Sequence, residues 1–111
     1  MAHISKNISK FYSKLNDFRS LERYSDVNIV CEQTSFACHR VALATASPFF
    51  DTMFSLQFRE RNAESVVLQE INAVTFQEVV RFIYTGDAVI ESGNVFSLLV
   101  ASDFFSLDGL E

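Results

Sequence analysis

Few side chains in this 111-residue sequence are suited to chemistry, and the most suggestive of them are neighbours. Cys38 is followed at once by His39, and Cys31 stands seven residues earlier. A thiol beside an imidazole could serve as a cysteine nucleophile with its base, and cysteine with histidine could hold zinc. The spacing favours neither. Zinc ligands come in closely spaced pairs, which Cys31, Cys38 and His39 do not supply, and His3 belongs to a different segment. Sequence neighbours on an extended chain send their side chains apart, so Cys38 and His39 are not expected to form a dyad. There is no Gly-rich phosphate loop, no Gly-x-Ser-x-Gly elbow and no paired-carboxylate signature, and the 14 acids are scattered. The residues point away from an enzyme and call for no metal or cofactor. Phe58-Arg59-Glu60 suggests recognition instead. An apolar side chain in a mostly polar connection either folds back onto Phe54 and Leu56 or waits for a partner. Beside a carboxylate it could fill a partner's pocket while a charge-assisted hydrogen bond orients the contact.

The elements that would carry these residues follow from periodicity. Ile4, Ile8, Phe11, Leu15 and Phe18 are spaced 4, 3, 4, 3, a narrow apolar seam on an amphipathic helix. Such a stripe suits docking onto another helical surface, although packing on its own domain is the competing reading. After Tyr24-Ser25 the pattern switches to period two, with Val27, Ile29 and Cys31 on one face of a strand. Glu32-Gln33-Thr34-Ser35 reads as a turn and Phe36-Ala37-Cys38 as the returning strand. Val41–Ala46 reads as a short buried helix. Ser47-Pro48 caps and starts another, carrying Phe49, Phe50, Met53 and Phe54. A third strand is expected at 65–68. A helix capped by Asn72 and stopped at Gly86 follows, then one opened by Ser92 and a last one beginning at Ser106-Leu107. The expected fold is α+β: a cluster of short helices flanked by a small three-stranded sheet.

Composition sets the frame. The length fits one domain, able to bury roughly two-thirds of its surface. With 49% hydrophobic residues and only 3 Gly and 1 Pro, disorder of the whole chain is excluded. No apolar run reaches the ~20 residues of a membrane span, and no secretory signal is evident, so the chain reads as soluble and intracellular. The net charge of −5 is uneven. Residues 1–24 carry five cations against two acids, and the remainder carries four arginines against twelve acids. An acidic body argues against nucleic-acid binding. Lys6, Lys10 and Lys14 form a basic stripe that reads first as a solvated face rather than a membrane contact. Twelve Phe are too many for so small a core to hide easily, which favours an apolar partner surface.

Ser25-Asp26-Val27, Phe36-Ala37-Cys38-His39-Arg40-Val41-Ala42-Leu43, Ala46-Ser47-Pro48-Phe49-Phe50 and Met53-Phe54 closely resemble a BTB/POZ domain. Phe82-Ile83-Tyr84-Thr85-Gly86 and Leu98-Leu99-Val100-Ala101-Ser102-Asp103 continue the match in order, over about residues 4–111. Within the family the sequence looks most like the Kelch-like proteins. The resemblance implies a homodimerisation module that doubles as a cullin-3 adaptor in a ubiquitin ligase, with substrate held by a C-terminal part not in this sequence. It assigns residues 1–24 to an N-terminal dimerisation helix and 25–111 to the BTB core, truncated before C-terminal linker helices. It places Ile8, Phe11, Leu15 and Phe18 at the dimer interface, with Asp26 and Arg40 as a buried charged pair near it. It aligns Phe58-Arg59-Glu60 with the cullin-binding signature, with Tyr84 as a further contact. The anchor departs from the common Met or Leu, and Leu56-Gln57 replaces the usual glycines. The alternative is the BTB domain of a transcription regulator that dimerises and recruits corepressors. The resemblance implies a cytoplasmic protein, with the nucleus as a second possible location.

Overall fold

The computed structural model describes residues 7–55 and 64–107 together with Ala2 and Ile4. Helix α1 runs from Ile8 to Ser20. Its first backbone N–H groups would be orphaned, and the Asn7 side chain accepts one of them, from Lys10. The seam therefore enters the helix at Ile8, and Ile4 precedes it. The link to the next element contains Glu22 and Tyr24 at positive φ, 54° and 63°. Left-handed backbone at non-glycine residues costs on the order of 1 kcal/mol each, so contacts elsewhere must hold this link.

Strand β1 (Val27–Cys31) turns through Glu32 and Gln33 into β2 (Thr34–Cys38). Cys31 pairs with Thr34, which leaves a two-residue turn with φ of 49° and 71°. A two-residue hairpin turn of this hand needs φ > 0 at both positions. Val27, Ile29 and Cys31 alternate into the core as the period-two pattern predicts. Helices α2 (Arg40–Ala46) and α3 (Pro48–Ser55) follow, and the chain returns in β3 (Ser65–Val67). β3 lies parallel to β1, with Ile29 opposite Val66, so the sheet order is β2-β1-β3. A parallel neighbour needs a long crossover, which α2 and α3 supply.

Helix α4 (Ala73–Thr85) is bounded as its sequence predicts. Asn72 Oδ1 accepts from Thr75 N at 2.7 Å, and Gly86 takes the left-handed cap conformation at φ 81°. Helix α5 (Val95–Phe105) begins after Asn94, later than the Ser92 start expected from sequence; residues 92–94 form a turn in which Asn94 Oδ1 accepts from Glu91 N. Ser106, expected to open a last helix, instead closes α5 in a left-handed conformation, and Leu107 folds into the core.

The core is an aromatic stack between α3, α4 and α5. Phe50 and Phe105 lie nearly parallel with centroids 5.2 Å apart, Phe76 sits 5.9 Å from Phe105, and all three are fully buried. Buried Ser47 fastens α3 to α5: its hydroxyl donates to the Phe105 carbonyl at 2.7 Å and accepts from Phe50 N. The Phe load is thus resolved in part. Phe96, on α5, remains 76% exposed, and Phe11 and Phe104 are exposed as well.

Candidate protein-interaction site

The expected dimer face divides along α1. Leu15 and Phe18, toward the C-terminal end, are half-buried; Leu15 packs on the core, and α1 as a whole rests on α4. Ile8 and Phe11, two turns and one turn before Leu15, stay 60% and 50% exposed. The far end of the seam therefore packs on its own domain, and its near end presents apolar surface outward.

What fixes α1 on the domain was not legible as a motif. His39, 6% exposed, lies between the helix exit and α4. Its Nε2 is 2.8 Å from the Arg23 carbonyl, which can only accept, so Nε2 carries the proton. In the neutral ring Nδ1 then accepts from the Tyr84 hydroxyl at 2.7 Å, while the His39 backbone N–H donates to the same oxygen at 2.9 Å. The Arg19 guanidinium lies over the Tyr84 ring, 5.4 Å from its centroid. The strained link after α1 is thus held by His39 and Tyr84.

This corrects the expected role of Tyr84. The side chain is fully buried and its hydroxyl is committed to His39, so in this structure it offers no surface to a partner. Burial also raises its pKa and keeps the phenol protonated. Tyr84→Phe strands the His39 N–H and Nδ1 at once and is expected to cost about 1–3 kcal/mol, read by urea denaturation. A change near zero would show that the hydroxyl carries no structural load.

Asp26 and Arg40 meet at the surface of the single chain. Their side chains are 54% and 23% exposed, and Arg40 Nη1 stands 4.0 Å from Asp26 Oδ2. The stronger contacts are to backbone. Asp26 Oδ1 accepts from Arg40 N at 2.7 Å, and Arg40 Nη1 donates to the Asp26 carbonyl. His39, the residue before α2, makes no side-chain cap, so Asp26 caps that helix from across the hairpin.

The cysteines are interior groups. Burial, with a smaller contribution from Glu32, pushes the Cys31 thiol up to about 11, and burial pushes Cys38 up to about 12. Both stay protonated near neutral pH and are poor nucleophiles. Both His39 ring nitrogens are already engaged, so it is no base for Cys38. Among the described residues no three His, Cys, Asp or Glu side chains gather as metal ligands, and no helix is long and apolar enough to cross a membrane.

Phe58-Arg59-Glu60 lies outside the described residues. Its two anchor points are described: the segment leaves from Ser55, the end of α3, and rejoins at β3. Between those elements and α5 opens an apolar groove of about 640 Å³. Phe49 and Met53 of α3, the stretch from Val66 to Ile71, and Phe96, Val100 and Phe104 of α5 line it. Sequence reading missed this groove because its walls come from three distant segments. The signal available was the surplus of Phe.

The described residues thus form a small α+β domain with an outward apolar helix face and an apolar groove. The BTB/POZ domain profile matches residues 15–111, and the chain belongs to the BTB/POZ family, whose domains are interaction modules rather than enzymes. Human Kelch-like protein 38 is 33% identical over 102 residues, 92% of this chain and 18% of the relative. Human Kelch-like protein 2 is 30% identical over 105 residues, 95% of this chain and 18% of the relative. The chain thus spans less than a fifth of the length of these relatives. The solved BTB domain of zebrafish PATZ1 has the same fold, with a TM-score of 0.87 at 23% identity over 99% of this chain and 89% of that one.

Proposed function

We propose that this domain homodimerises through the exposed part of α1 and binds cullin-3 as the adaptor part of a ubiquitin ligase, working in the cytoplasm or nucleus. Substrate is held by a C-terminal part of the full-length protein. The observation that carries the reading is the pair Ile8 and Phe11, large apolar side chains left half or more in solvent on α1. The cullin assignment draws on the Kelch-like relatives and on placement. Phe58 is three residues beyond Ser55, within about 10 Å of the end of α3 by chain reach. The helix from which this segment departs, α3, lines the apolar groove through Phe49 and Met53.

Calorimetry against the cullin-3 N-terminal region tests this contact. Phe58→Ala is expected to weaken binding by about 2 kcal/mol, as truncation of an interface anchor does. Glu60→Ala is expected to cost less, since a carboxylate at a wet rim contributes less. Unchanged affinity in both variants, with the fold intact, would remove Phe58-Arg59-Glu60 from the contact.

A further inference from the structure

One face of α1 carries charges that oppose the helix dipole, whereas Arg19, in the last turn, is favourably signed and lies over the Tyr84 ring. Lys10 lies in the first turn, where the helix dipole is positive, and no acid accompanies it there. Lys10 and Lys14 stand at i, i+4, a repulsive spacing for like charges. Asp17 lies in the last turn, where the dipole is negative. Lys10, Lys14 and Asp17 are all exposed, and with Asn7 and Ser13 they border a shallow depression on one side of the helix beside Phe11. Among the described residues neither Lys10 nor Asp17 forms an ion pair. Lys14 is differently placed, its Nζ held 5.5 Å from the centroid of its own Phe18 ring.

A face that is basic at one end and acidic at the other is complementary to itself under a two-fold axis across the helix. We infer that α1 pairs antiparallel with α1 of a second copy, and that Lys10 of each protomer meets Asp17 of the other. The inference rests on the homodimer proposed above and specifies its register and charge code. Lys10 and Asp17 are seven residues apart, two turns on one side of the helix, so both pairs form on the same flank of the contact. In an isologous interface the contact occurs twice, and each misplaced charge then lies beside its opposite and beside the favourable end of the partner's dipole. The apolar side chains of Ile8 and Phe11 supply the adhesion, and the charges choose orientation and partner.

The experiment is a charge-swap set on the full chain, with masses and dissociation constants from sedimentation equilibrium and helicity from circular dichroism. Lys10→Glu and Asp17→Lys each replace two attractive contacts by two repulsive ones and are expected to weaken the homodimer about tenfold, at unchanged helicity. Combining both changes in one chain is expected to restore wild-type affinity. Mixing the two single variants, one isotope-labelled for native mass spectrometry, is expected to give heterodimer well above the statistical share. A statistical mixture, or double-variant affinity no better than the singles, overturns the pairing while leaving the homodimer standing. Wild-type protein that stays monomeric at every concentration overturns the homodimer itself, and the pairing with it.

Discussion

Phe50→Ala is expected to remove about 3–5 kcal/mol of folding stability, a large part of what a domain of this size possesses. The magnitude follows from the position. Phe50 has no exposed surface, stacks on Phe105 at 5.2 Å with planes 9° apart, and also meets Phe54 and Phe49 at 5.8 and 5.2 Å. Removing the ring takes away its transfer free energy and leaves a cavity between α3 and α5. Neither helix can close that gap freely, because Ser47 already ties the start of one to the end of the other. Urea denaturation at fixed protein concentration reads the loss, with concentration held constant because the proposed self-association would add to apparent stability. A loss below about 1 kcal/mol would show that the aromatic stack is not the centre of the core.

Ile8→Asp with Phe11→Asp is expected to convert the proposed dimer to monomer with little effect on the fold. Each large apolar side chain that leaves water contributes about 1.5–3 kcal/mol, and each contributes on both protomers. Dissociation should therefore rise by more than about a hundredfold. Asp at the first turn of α1 also suits the helix dipole, so helicity is retained. The choice of positions is structural. Leu15 belongs to the same seam but packs on the core, so a charge there would damage the domain and confuse loss of partner with loss of fold. Light scattering after size exclusion gives the mass directly, and a double variant that still elutes as a dimer would move the interface away from this part of α1.

Much of this was legible because short-range physics wrote it into the sequence. Period two fixed the inward face of β1, Ser47-Pro48 fixed the start of α3, and Asn72 and Gly86 fixed both ends of α4, each through a backbone group that must find a partner. What sequence reading missed depends on residues far apart in the chain. Tyr84 was assigned to a partner contact by the resemblance alone, whereas its hydroxyl is bound to His39, 45 positions away. That Asp26 caps α2 by accepting from the backbone of Arg40 depends likewise on residues 14 positions apart. Ser92 is a good capping residue, yet Asn94 forms the turn that sets the start of α5. The groove beside α3 and β3 has no local signature, since three separated segments build it.

The central claim is a dimeric module that grips cullin-3, and one mass measurement tests it. The chain, mixed with an excess of the cullin-3 N-terminal region, is passed through size exclusion with multi-angle light scattering. A single complex is expected, with a mass equal to two copies of each protein. A chain that elutes apart from cullin-3, at its own 12.6 kDa, would contradict it.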